Sequence, residues 1–197
     1  MLLLASVGGH AQHAKEKATM EDLRTGQKAL VAFFSRADEN YAVGYIEKGN
    51  THIVAEMIAA RTGADLFRIE TVKPYPASYD SCIEVARREK QSDARPPVKG
   101  DIRVEDYDVI YLGYPNWWGE MPMAVYTFIE KHDWQGKTIV PFCTHEGSGL
   151  SSTERRIQSA CPGGKVLKGL AVRGSTAQHE PETARKAVQA WLEKLGH

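Results

Sequence analysis

The segment Val109-Ile110-Tyr111-Leu112-Gly113-Tyr114 is apolar at every position rather than at alternate ones. A strand of that kind has to bury both faces, which happens in parallel sheets covered by helices on each side. It lies within one of five β-rich runs, at residues 29–35, 64–70, 108–115, 138–145 and 165–173. Their starts are 27 to 44 residues apart, the span of a strand, a helix and two loops.

Helical periodicity fills the intervals. Ile53, Val54, Met57 and Ile58 mark a helix after the first strand, and Val125, Phe128 and Ile129 mark one after the third. Ser151 and Glu154 have the S-x-x-E spacing of a capping box, which predicts the start of a helix after the fourth. Residues 78–90 form a weaker helix that stops before the Arg95-Pro96-Pro97 connector. Ala184, Ala187, Val188, Trp191, Leu192 and Leu195 give the last helix its apolar stripe. Strand and helix alternate without a repeat, which predicts one α/β domain, a doubly wound five-stranded parallel sheet in three α/β/α layers.

Charge narrows the function classes. Among 197 residues, Lys+Arg and Asp+Glu both total 25, so there is no electrostatic case for nucleic acid or an anionic membrane. No apolar run approaches the roughly 18 residues of a transmembrane segment. Three cysteines (Cys82, Cys143, Cys161) without a C-x-x-C pair support neither a disulfide framework nor a zinc cluster, so the expected location is cytoplasmic. The first seven residues are apolar but lack a basic flank. We expect residues 1–27 to be a tail outside a domain at 28–197; a signal-peptide remnant, and hence export, is the alternative.

In an open parallel sheet, ligands sit beyond the carboxyl ends of the strands, near the reversal of strand order. Three loops fall there. After the first strand comes Ser35-Arg36, and 13 residues (36–48) separate Ser35 from Gly49-Asn50-Thr51, which leads into a helix. Hydroxyls, a glycine and the free N–H groups of a helix start suit a phosphate, although Asn50 or Thr51 could equally be a plain N-cap. After the third strand, Pro115-Asn116-Trp117-Trp118-Gly119 sets two adjacent indoles in a loop. Loop aromatics can wall a flat ligand by stacking, or cap a hydrophobic edge. After the fourth comes the donor-rich Thr144-His145-Glu146-Gly147. Other chemistries lack their residues: Gly147-Ser148-Gly149 completes neither a dinucleotide fingerprint nor a nucleophile elbow, and there is no P-loop lysine or H-E-x-x-H. A phosphoacceptor receiver would need aspartates where Ser35-Arg36 and Tyr114-Pro115 stand.

Taken in order, these three loops resemble those of flavodoxin-like proteins, closest to bacterial flavodoxins with a Tyr-Pro-x-Trp-Trp-Gly loop, over about residues 28–195. The resemblance implies strand order 2-1-3-4-5 and noncovalent FMN. It implies that Ser35, Arg36, Gly49, Asn50 and Thr51 surround the phosphate. Pro115, Asn116, Trp117, Trp118 and Gly119 then flank the ring on one side, and Thr144, His145, Glu146 and Gly147 line the other. The flavin would carry the chemistry, and no side chain is nominated as catalytic. Two features depart from a compact flavodoxin: the insertion at 36–48, which would form a flap or a partner surface, and the neutral charge. The expectation is an FMN oxidoreductase serving a small acceptor such as a quinone; the alternative is a non-enzymatic electron-transfer protein that docks with redox partners.

Overall fold

The computed structural model describes residues 27–196, so the expectations for the N-terminal tail lie outside the described residues. Strand β1 (Ala29–Phe34) is the first central strand, followed by a hairpin of β2 (Asp38–Asn40) and β3 (Gly44–Ile46). Helix α1 (Asn50–Thr62), strand β4 (Asp65–Thr71), helix α2 (Tyr79–Gln91) and the short strand β5 (Val98–Lys99) come next. Then follow β6 (Val109–Pro115), α3 (Met123–Ile129), β7 (Thr138–His145) and α4 (Thr153–Ala160). The chain closes with β8 (Lys165–Val166), β9 (Leu170–Arg173), α5 (Gly174–His179) and α6 (Pro181–Lys194).

The main sheet runs β5-β4-β1-β6-β7-β8, and β9 also pairs with β7. Every pairing in it is parallel except that of β5 with β4. Counting only the five strands expected from the sequence, the order is 2-1-3-4-5. The pleat sorts the core into two layers. Leu30, Ala32, Phe34, Ile110, Leu112 and Tyr114 face α3 and α4, while Val31, Phe33, Val109 and Tyr111 face α1 and α6. Burying an aliphatic or aromatic side chain contributes about 1.5–3 kcal/mol, so a strand apolar on both faces is stable only between two helical layers.

Two local expectations are corrected. The run at 165–173 is two strands, not one. Its break faces Pro141 of β7, which has no N–H to give to a ladder. There a Cβ on Gly169 would lie 2.9 Å from the Pro141 carbonyl, so only glycine passes. The S-x-x-E capping box does not form: Ser151 is left-handed (φ 52) and α4 begins at Thr153. The Glu154 carboxylate instead accepts the Gly169 N–H at 2.8 Å, a tertiary bond that overrides the local motif. The insertion contributes the separate β2–β3 hairpin, and β5 adds an antiparallel edge.

Candidate functional site

Because β1, β6 and β7 are adjacent and parallel, their carboxyl ends emerge together. Phe33 lies level with Gly113, and Pro115 with Thr144. All three predicted loops therefore meet at one edge, around a cleft of about 260 Å³. Nine of the fourteen predicted residues line it: Arg36, Asn50, Pro115, Asn116, Trp117, Trp118, Thr144, His145 and Glu146.

The other five lie behind the lining. Ser35 Oγ accepts the His52 N–H at 3.1 Å, capping α1 from the end of β1. Gly49 passes so close that a Cβ there would lie 2.3 Å from both Ser35 Oγ and the Arg36 carbonyl. Thr51, 1% exposed, shares a 2.7 Å hydroxyl–hydroxyl bond with Thr144. Gly119 occupies a left-handed turn position, and the Gly147 N–H donates to His145 Nδ1 at 2.8 Å. Of the first N–H groups of α1, that of His52 is taken by Ser35 Oγ and that of Ile53 by the Gly49 carbonyl, while those of Asn50 and Thr51 have no carbonyl four residues back within the helix.

Arg36 is almost buried, and its guanidinium donates to the carbonyls of Glu39, Pro76 and Ala77. It ties the hairpin to the segment before α2 while its positive charge stays beside the cleft. The two tryptophans differ. Trp117 is partly buried and packs edge-on against Phe34 and Tyr75 at centroid distances of 5.5 and 5.2 Å, at the border of the core. Trp118 is 52% exposed, and its indole N–H reaches the Ile83 carbonyl at 3.3 Å.

The flavodoxin family model matches residues 28–195. The chain belongs to the flavodoxin family. A candidate flavoprotein from Bacteroides eggerthii DSM 20697 has 30% identity and a TM-score of 0.68, over 87% of this chain and 99% of its own. A second, from Bacteroides uniformis ATCC 8492, has 29% identity and a TM-score of 0.66, over 86% and 99%. A Lactobacillus acidophilus NCFM flavoprotein solved in complex with FMN shares the fold at 18% identity and a TM-score of 0.59, over 79% and 98%. No curated protein matches the chain.

This flavodoxin also draws on residues that sequence reasoning missed. Tyr79, Cys82, Ile83 and Ala86, one face of α2, line the cleft together with Asn40 and Tyr41 of the hairpin. Their i, i+3, i+4, i+7 spacing announces a face but not what it faces. At the opposite side, the start of α5 is tied to the loop after β7: Glu146 accepts the Ser175 N–H at 2.6 Å and the Ser175 hydroxyl at 3.0 Å. Asn50 Oδ1 accepts from Gln178 at 2.9 Å.

Among the titratable groups of this flavodoxin's cleft, burial, reinforced by the charge of Arg173, holds His145 below the ordinary 6.5. Burial pushes the Cys82 thiol up to about 11, well away from thiolate chemistry at neutral pH. All three cysteines are buried and unpaired. Among the described residues no helix is long and apolar enough to cross a membrane.

Proposed function

We propose that this cleft binds FMN noncovalently and that the protein is an oxidoreductase passing electrons to a small acceptor such as a quinone. The observation that carries the reading is the cleft's two-ended chemistry at the carboxyl edge of β1, β6 and β7. One end offers the donors of a helix start, and the other a half-exposed indole.

The residues present fit the group. Gly49 lets the start of α1 pack directly against Ser35 Oγ and the Arg36 carbonyl, which sets the first turn of that helix beside the end of β1. Asn116 donates its amide to the Gly149 carbonyl at 2.8 Å and to Ser151 Oγ at 3.0 Å, while its Oδ1 is buried without a partner. A buried acceptor left unpaired is unfavourable by about 1–3 kcal/mol, and a ring N–H would relieve that cost. Ser35, Gly49, Asn50 and Thr51 would hold the phosphate, and Trp118 with the Thr144–His145–Glu146 strand end would bracket the ring. FMN, when bound, supplies the one- and two-electron redox chemistry. The protein orients it, shields one side from water and places the Arg36 charge nearby. That an FMN complex is known for the L. acidophilus flavoprotein of this fold supports the reading. The formal charge of zero favours a small acceptor over long-range steering toward a charged partner protein.

Titration of the apoprotein with FMN, FAD and riboflavin is the direct test, with FMN expected to bind tightest. Equal affinity for riboflavin would remove the phosphate from the α1 start. Gly49→Ala should weaken FMN at least tenfold, because the new Cβ collides with backbone and the α1 start has to shift. Steady-state NAD(P)H oxidation with a soluble quinone then separates the enzyme from an electron carrier, which would show no turnover.

A further inference from the structure

Between the two tryptophans and α3 the chain makes a turn whose conformation is costly on its own. Trp117 and Glu120 exchange backbone hydrogen bonds of 2.9 and 3.1 Å, and between them Trp118 (φ 57) and Gly119 (φ 73) are both left-handed. That is the pattern of a two-residue type I′ turn, which favours Asn-Gly or Gly-Gly at its centre. A tryptophan at the first central position is against that preference, because its Cβ crowds the backbone there. Something outside the turn has to hold it.

Glu120 is placed to do so. Its carboxylate is 4% exposed and lies beside the turn, not among the residues that line the cleft. Oε1 accepts the Met121 N–H at 2.9 Å and the Tyr126 hydroxyl of α3 at 3.0 Å. Oε2 pairs with Arg156 of α4 at 2.8 Å. One buried carboxylate thus joins the turn, α3 and α4. Buried charges keep such a place only when paired and hydrogen-bonded, and removing one partner leaves the other uncompensated. On the far side of the turn, Trp118 is restrained by its bond to Ile83 and by Lys90, which donates to the Trp118 carbonyl.

We propose that Glu120, clamped by Arg156, is a positioning residue: it holds the Trp117–Glu120 turn so that Trp118 presents its ring to the cleft, and through Trp118 it sets flavin affinity. The second half of this statement rests on the FMN reading above; the first does not. A charge-assisted clamp also explains why a half-exposed arginine on α4 is directed inward onto a loop rather than into solvent.

The experiment has two arms. Protein labelled with 5-fluorotryptophan, its Trp118 resonance assigned by Trp118→Phe, reports the turn by fluorine NMR without any flavin. Glu120→Gln should shift or broaden the Trp118 resonance and leave those of Trp134 and Trp191 in place. In the second arm, FMN titration of the same apoprotein should show roughly two- to tenfold weaker binding, no more than loss of the Trp118 ring itself causes, and brighter bound-flavin fluorescence. Arg156→Gln, at a half-exposed site, should reproduce both effects more weakly, and it keeps the test open should the buried variant not fold. The double variant should be no worse than Glu120→Gln, since both act through one pair.

An unmoved Trp118 resonance in Glu120→Gln and Arg156→Gln overturns the positioning role. A moved resonance with unchanged FMN affinity overturns the link to the flavin, leaving Glu120 a purely structural residue. If the unsubstituted protein binds no FMN, the functional reading fails instead, and the fluorine arm still decides whether Glu120 holds the turn.

Discussion

The hydroxyls of Thr51 and Thr144, 93 positions apart, meet at 2.7 Å where the start of α1 touches the end of β7. Both residues are buried, at 1% and 2% exposure, so each hydroxyl depends on the other. The bond fixes the start of α1 to the strand end that lines the cleft.

Thr51→Val should therefore lower stability by about 1–3 kcal/mol, because the shape is kept while the Thr144 hydroxyl is left with no partner. The Thr51→Val/Thr144→Val pair should lose less than the sum of the single variants. Urea unfolding midpoints measure both. Additive losses would mean that the bond contributes nothing beyond two separate packing changes.

Thr51 also shows where reading the sequence stops. Its position after Gly49-Asn50 marks a helix start, where the structure has it, yet cannot reveal that its hydroxyl is turned to Thr144. The sheet was legible because burial leaves a one-dimensional trace. Val109 to Tyr114 are apolar without alternation, and α6 carries its stripe from Ala184 to Leu192. Features fixed by tertiary bonds leave no such trace. Ser151 and Glu154 have capping-box spacing, but Gly169 takes the carboxylate. Glu120 reads as one more loop acid until Arg156 and Tyr126 are folded against it.

The adjacent tryptophans should separate cleanly by substitution. Trp117 packs against Phe34 and Tyr75, so Trp117→Ala should lower stability by about 2–3 kcal/mol, somewhat below the range for a fully buried indole. Trp118 stands half-exposed at the cleft, so Trp118→Ala should leave the unfolding midpoint almost unchanged. It should instead weaken FMN by roughly 0.5–1.5 kcal/mol and relieve quenching of the bound flavin. Trp118→Phe should restore most of the affinity. The opposite pattern would make Trp117 the ring's neighbour and Trp118 a surface cap.

His132 predicts an acid sensitivity far from flavin chemistry. Its side chain is 4% exposed, its Nε2 has no hydrogen-bond partner, and burial lowers its pKa below 6.5 despite the raising influence of Glu105 and Asp101. The unfolded chain then binds this proton more readily than the folded one. Stability from His132 is full above pH 6.5 and is lost as pH falls from there through the lower folded-state value. Unfolding midpoints at pH 7.5 and 5.5 should differ by less in His132→Gln than in the unsubstituted protein. A difference that survives the substitution intact assigns it to other groups, of which His52, also lowered chiefly by burial, is the first to examine.

His145 offers the corresponding test at the cleft. Its Nδ1 accepts the Gly147 N–H, which places the neutral form's proton on Nε2. Burial and then Arg173 depress its pKa, while Glu146 opposes them, so at pH 7 the ring is neutral and Arg36 remains a cleft cation. As pH falls through the depressed His145 value a second positive charge develops beside the site, and a reduced, more negative flavin would gain more from it than the oxidised form does. The midpoint potential of bound FMN should therefore rise more steeply as pH falls through the depressed His145 value. His145→Gln should remove that bend. Arg173→Gln should move it upward toward pH 6.5, because one of the two depressing causes is gone while burial remains. A potential–pH line that bends identically in His145→Gln would assign the proton to the flavin itself and leave His145 to its bond with Gly147.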